Sequence, residues 1–351
     1  MEKYIRISLY AFASFGVSLV IIPLVILLCK KQGWYDTINL RKVHSGSIPR
    51  LGSIGFVPVF LVFSFFYLKS DETVPAVRYL PFLAGGILVF ILGIIDDFRD
   101  LPARVKLIGQ CIASILPVLF GFHIMRIGPF VLGIFGPVVT FIWFIGIVNA
   151  FNLIDGVDAL CGSLSFSILL TLGAVLCFGN SAYTALPFIL SGGVLGFLVY
   201  NKPKAKIFMG DGGSQFLGFI IAGLPLFKEP PKPAIEYNLF CLTLALVSIP
   251  MLDTFAAMWR RKREGRSFFS PDKLHLHHKL MNMGYTTKSI LGLLLILQTG
   301  ICGISLVAVL WLEGLRGFVI LCGVLAAMVG FFTIIHYTSH AIARAEKEKA
   351  E

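Results

Sequence analysis

A chain of 351 residues that is 57% apolar and 14% charged, with a mean hydropathy of +0.85, has too little polar surface for a water-soluble domain. Its net charge of +11 is spread over short connectors and not gathered in a basic module, which argues against a nucleic-acid-binding protein. A polytopic, all-α membrane protein is left.

Eleven candidate spans follow in order, near residues 5–29, 51–68, 79–95, 106–122, 131–151, 158–178, 182–200, 213–227, 238–256, 289–311 and 316–337. Most approach the length needed to cross a bilayer core of about 30 Å. The first is too long for a signal-peptide core and lacks a small-residue cleavage site, so it reads as a retained span. Lys and Arg collect in alternate connectors, including "KKQGWYDTINLRKVHSGSIPR", "NKPKAK" and "RRKREGR", and that side is expected to be cytoplasmic. The N-terminus then lies outside and the C-terminus inside. Residues 1–340 read as one integral membrane domain, and 341–351, including "ARAEKEKAE", as a short charged tail. The seven cysteines lie in or beside apolar runs without a CxxC pair, which suits small buried side chains better than metal ligands.

Aspartate is more informative. Of the ten, only Asp71 falls on the outer side; the rest lie in cytoplasmic connectors or at the cytoplasmic ends of spans. Acidic residues contribute little to topology, so this bias points to chemistry on the cytoplasmic face.

Four stretches concentrate that chemistry. In "LGIIDDFRDLPARVK", Asp96, Asp97 and Asp100 follow an apolar run and precede Arg104 and Lys106. Salt bridges within the loop would satisfy them; so would a hard cation shared with carboxylates elsewhere. In "NAFNLIDGVDAL", Asn149, Asn152, Asp155 and Asp158 recur every third residue, which places four polar groups on one helical face. In "NKPKAKIFMGDGGSQFLGF", a basic loop meets a glycine-rich turn carrying Asp211 and then a helix start, whose free amides suit phosphate oxygens. In "REGRSFFSPDKLHLHHKL", His275, His277 and His278 sit among basic residues, an arrangement better suited to an anionic, oxygen-rich ligand than to zinc. Joined to Asp155, Asp158 and Asp211, the carboxylates of Asp96, Asp97 and Asp100 could hold Mg²⁺, which prefers carboxylates, water and substrate phosphates.

These stretches, with "RKVHSGSIPRLGS" before them, resemble the polyprenyl-phosphate N-acetylhexosamine-1-phosphate transferases in identity and order. Ser53 departs from the family's Gly-Gly pair, and the lysine of the MraY-type members has no counterpart in this loop. The histidine stretch is closer to the WecA and TagO branch. The resemblance implies an eleven-span enzyme of the bacterial plasma membrane. It would transfer a sugar 1-phosphate, expected to be N-acetylglucosamine 1-phosphate, from a UDP-sugar to undecaprenyl phosphate and release UMP. Mg²⁺, or Mn²⁺ in its place, is the implied cofactor.

It further implies Asp211, Asp155 and Asp158 as metal ligands and Asp96, Asp97 and Asp211 as catalytic groups. Asn152, Asp155, Asn201 and Phe208 would form the nucleotide pocket, and Arg266, His275, His277 and His278 would hold the diphosphate and sugar. Arg104 and Lys106 would orient the lipid phosphate. The partners are then a UDP-sugar, polyprenyl phosphate and the bilayer, with a homodimer left open and no nucleic acid. An MraY-type muramoyl-pentapeptide transferase and an ion-coupled transporter are the alternatives; the latter wants midplane acids and a repeat relating two halves, and the sequence has neither.

Overall fold

The computed structural model describes residues 1–35, 48–71, 74–179, 181–227, 233–267, 270 and 274–350. Long apolar runs become helices because a chain in hydrocarbon must pair its backbone groups within itself. In order they are α1 (Glu2–Gln32), α2 (Val57–Lys69), α3 (Ala76–Arg99), α4 (Ala103–Leu119), α5 (Gly136–Ile154), α6 (Leu160–Phe178), α7 (Ala185–Asn201) and α8 (Asp211–Gly223). There follow α9 (Pro233–Leu246), α10 (Ser248–Arg263), α11 (Leu276–Asn282), α12 (Thr287–Val307) and α13 (Gly314–Ala350). A two-residue hairpin, β1 (Arg126–Ile127) with β2 (Phe130–Val131), joins α4 to α5.

Each of the eleven expected segments coincides with helix. Among the described residues, eight helical segments are long and apolar enough to cross a membrane; a ninth is α9 with α10, bent by 63° where they meet. The protein is thus an all-α, multi-pass membrane protein. The two segments that fall short are α4 and α8. Helix α4 carries Arg104, Lys106 and Gln110 on its first two turns. Helix α8 has 13 residues, and every one from Gly212 to Gly223 is buried. Enclosed by protein on all sides, α8 needs neither a lipid-facing surface nor bilayer length. The charged end expected as a separate tail continues the helix of α13 to Ala350. All seven cysteines are free, and Cys322, against expectation, is exposed.

Helix α8 packs between α3 and α5, while α1 lies along α7. The α3–α8 crossing is close enough that a Cβ on Gly93 would stand 2.4 Å from the Gly212 Cα. At its far end an aromatic group fills the core, with the Phe82 ring 5.6 Å from Phe122, 5.7 Å from Phe219 and 5.1 Å from Phe227. One end of α8 is therefore wedged by aromatic rings, and the other is held at backbone contact.

Candidate active site

The glycine-rich turn before α8 is built against the loop before α2. Phe208 donates its N–H to the Pro49 carbonyl (2.7 Å), while Gly52 and Ser53 donate to the carbonyls of Phe208 and Met209 (2.9 and 3.2 Å). Gly210 then turns with φ +78°, where a Cβ would meet the Arg50 carbonyl at 2.2 Å and an Asp97 oxygen at 2.5 Å. Only glycine fits there. Immediately beyond, the buried Asp97 carboxylate accepts from the amides of Asp211 (2.9 Å) and Gly212 (3.2 Å). The Gly213 and Ser214 amides bond back to the Gly210 carbonyl. The helix start expected to offer free amides to phosphate is therefore already filled, by a carboxylate from α3 acting as a cap in trans. Arg50 backs this cap: it donates to the Asp97 carbonyl, and its side chain lies 4.0 Å from the Asp97 carboxylate and 3.7 Å from that of Asp100.

Asp96 points elsewhere. It accepts from the Leu101 N–H (2.7 Å) and pairs with the Lys106 ammonium, which also reaches Asp211 Oδ2 at 3.1 Å. Asp96 and Asp211 thus lie on the same ammonium, and Asn152 donates to the Ser214 hydroxyl in the first turn of α8. Two carboxylates this close require a proton or a cation between them, and Lys106 supplies one positive charge.

Asp155, at the end of α5, keeps an accessible edge but is otherwise enclosed by protein. Burial first, then the charges of Asp211, Asp97 and Asp158, hold its carboxyl well above the usual range. Carboxylates from three stretches more than fifty residues apart thus share one electrostatic site. Its donors are all oxygen, with acids outnumbering the nearby cations Arg50 and Lys106, and that chemistry fits a hard divalent ion. No group of three ligating side chains forms a ready-made cage among the described residues. The fit is to an ion bound by one or two carboxylates and completed by water and substrate phosphates, with Asp211 and Asp155 as the available ligands.

Two residues expected in the site are engaged in holding loops. Asp158 is buried, and its Oδ2 accepts from the amides of Lys204 and Ala205, both at 3.1 Å. Helix α5 ends at Ile154, so the shared helical face does not extend to Asp158. Asn201 accepts from the Ala159 amide (2.9 Å) and donates to the Ile207 carbonyl (2.8 Å), which ties the two motif loops together from within. Phe208 is half-buried. Arg104 is exposed; two residues from Lys106, it lies roughly 200° around α4 from it.

Beneath the carboxylates lies a layer of which sequence reasoning marked only Asn149 and missed Gln110 and Gln215. Gln110 donates to Gln215 Oε1 (3.1 Å), and Asn149 donates to Gln110 Oε1 (2.8 Å). Gln110 is one turn below Lys106 on α4, Gln215 one turn below Asp211 on α8, and Asn149 one turn below Asn152 on α5. The three helices thus meet in two polar layers, charged above and amide below. The repeated spacing of four, four and three residues is visible in the sequence, but the pairing is not.

The histidine stretch forms α11. Buried Asp253 of α10 accepts from His275 Nδ1 (2.9 Å) and from the Leu276 amide (2.8 Å), capping α11 as Asp97 caps α8. The His275 and His277 rings lie parallel, 6.1 Å apart, with His278 4.2 Å from His277. His277 rests on Gly156, where a Cβ would come within 2.7 Å of its ring, so the histidine helix abuts the Asp155 loop. Burial, reinforced by His278 and opposed by Asp253, pushes His277 down to about 4; at neutral pH it is an uncharged hydrogen-bonding group. Its Nδ1 is buried with no hydrogen-bond partner among the described residues. Arg266 is exposed and forks onto Glu264 at 2.5 and 2.6 Å. Lys42, His44 and Asp272 lie outside the described residues.

Residues 79–228, which include the Asp96, Asp155 and Asp211 stretches, match the family profile of glycosyl transferase family 4. Over 291 residues the chain is 32% identical to an undecaprenyl-phosphate alpha-N-acetylglucosaminyl 1-phosphate transferase of Salmonella typhi, covering 79% of this chain and 77% of that one. It is 34% identical over 298 residues to a probable undecaprenyl-phosphate N-acetylglucosaminyl 1-phosphate transferase of Bacillus subtilis, covering 81% and 79%. With the corresponding transferase of Escherichia coli K12 it shares 32% over 295 residues, 80% and 78% of the two chains.

Proposed function

The chain belongs to the polyprenyl-phosphate N-acetylhexosamine-1-phosphate transferase family and is a sugar-phosphate transferase; on that premise we propose that it moves N-acetylglucosamine 1-phosphate from UDP-N-acetylglucosamine to undecaprenyl phosphate. The reaction takes place at the cytoplasmic face of a bacterial plasma membrane, requires Mg²⁺ and initiates an envelope polysaccharide. One observation carries the reading: carboxylates from three separate stretches, Asp96 with Asp97, Asp155, and Asp211, meet at the start of a buried helix, where Lys106 bridges Asp96 and Asp211 and Asp97 caps the helix.

A phosphate monoester has a second pKa of about 6, so at neutral pH the acceptor is mostly a dianion and already a nucleophile. Its oxygen forms the new bond to the sugar-bearing phosphorus; the bond to UMP breaks, and UMP leaves with the electron pair. Such a transfer needs alignment and charge screening more than a base. Lys106 offers an ammonium to a phosphate oxygen while keeping Asp96 and Asp211 in register. Asp97 has both carboxylate oxygens on backbone amides, so it sets where Asp211 stands and is poorly placed to attack phosphorus. Direct displacement is therefore favoured over an aspartyl-phosphate intermediate. Asp211 and Asp155 would hold the Mg²⁺, which when bound neutralises diphosphate charge and polarises its oxygens. The neutral His277, beside Gly156, donates to the donor substrate without adding charge.

The test is direct. Purified protein is incubated with undecaprenyl phosphate, Mg²⁺ and a panel of UDP-sugars, and UMP is measured. UDP-N-acetylglucosamine should turn over, and excess chelator should abolish the reaction until Mg²⁺ is restored. Turnover confined to a muramoyl-pentapeptide donor would overturn the choice of sugar. Release of no UMP from any donor would overturn the reaction.

A further inference from the structure

On the outer side of α11 the carboxylates give way to basic side chains. Lys279 lies two residues beyond His277, roughly 200° around the helix, and so faces away from the Asp155 loop. Its buried ammonium stands 3.3 Å from Nδ1 of His336 on α13. The His336 ring lies 4.5 Å from His340, one turn further along α13. Helix α10 packs against α13, and its last turn carries Arg260 and Arg263, whose charges reach His336. Three helices thus bring five basic side chains to one place.

The depth of this cluster is marked by aromatic residues. Trp259, beside Arg260, is 68% exposed, and Tyr337, beside His336, is 70% exposed. Phe255 and Met258 extend the exposed apolar stripe of α10 below Trp259. Exposed Trp and Tyr at the boundary between an apolar stripe and basic residues mark the bilayer interface, and basic pockets between helices at that depth suit anionic headgroups. His277 on the opposite side of α11 touches the Asp155 loop, which puts the cluster on the same face of the membrane as the site.

We propose that Arg260, Arg263, Lys279, His336 and His340 form a binding site for the phosphodiester headgroup of an anionic phospholipid, separate from the substrate site. Apolar α10 side chains below Trp259 receive its acyl chain. Because Lys279 and His277 share a seven-residue helix, a seated headgroup buttresses the histidine helix from behind.

The test uses full-length protein in a neutral detergent and a fluorescent phosphatidylglycerol, with fluorescent phosphatidylcholine as the comparison. Phosphatidylglycerol should bind more tightly. Replacing two exposed members of the cluster, Arg263→Gln with His340→Gln, should weaken it by more than about fivefold, since an arginine near a membrane surface alone contributes about 1 kcal/mol. Arg263→Gln alone should give a smaller loss in the same direction, which serves if the double variant does not fold. UMP and inorganic phosphate should not displace the lipid. Equal affinity in parent and variants would overturn the proposal. So would displacement by UMP or phosphate, which would make the cluster a site for soluble anions.

Discussion

Two short helices carry most of the chemistry, and both begin on an aspartate borrowed from a longer helix. Asp97 caps α8, and Asp253 caps α11. Their surroundings differ. Helix α8 is wedged among α3, α5 and the α2 loop, with glycine contacts and a polar layer beneath, so many interactions hold its position. Helix α11 has seven residues and rests at the edge of the bundle against α12 and α13. The first helix is over-determined, as a centre of charge stabilisation must be. The second is held by one buried carboxylate at its start and by packing against α12 and α13.

The largest expected effect separates the carboxylate proposed as catalytic from the one that caps its helix. Asp211→Asn should lower turnover by more than about two orders of magnitude and leave thermal unfolding close to that of the parent. Asp97→Asn should also lose about two orders in activity, but with a stability loss of about 1–3 kcal/mol, because two buried amides lose a charged acceptor. If its unfolding midpoint does not move, Asp97 is not the cap described here. Normal turnover in either variant would remove that residue from the catalytic group.

Gly93→Ala tests the packing side of the comparison. A methyl 2.4 Å from the Gly212 Cα must push α3 and α8 apart, at about 1–3 kcal/mol for overpacking, with a fall in kcat larger than any change in KM. Asp253→Asn should behave differently. Loss of a cap costs about 1 kcal/mol, and the main change should be a rise in KM for the UDP-sugar. An equal fall in kcat with KM unchanged would place α11 in the transition state and not in donor binding. The smallest effect belongs to the lower layer. Gln215→Leu, which removes the one hydrogen bond from Gln110, should cost about 0.6 kcal/mol, the usual worth of a hydrogen bond between membrane helices, measured by unfolding in detergent.

Local features were legible without a structure. The apolar runs marked every helix but α11, which the sequence left in a connector, and read α9 and α10 as one; the adjacency of acids, glycines and histidines marked the four motif stretches, because burial and backbone freedom are written residue by residue. Span length was less legible. Helix α8 reads like the other spans in hydropathy, yet it is short and wholly enclosed, and nothing within 13 residues records what surrounds them.

Partnership is what tertiary structure alone decided. Asp97 meets an amide 114 residues away, Lys106 a carboxylate 105 away, and His275 an acid 22 away in a different helix. The sequence placed carboxylates, amides and imidazoles in connectors and span ends expected on one membrane face. It did not divide them into those that face a substrate and those spent on capping, as Asp97 is, or on tying loops, as Asp158 and Asn201 are. The reason is physical: a carboxylate's role is set by the donors within about 3 Å of it, and in a bundle those donors come from whichever helix packs alongside.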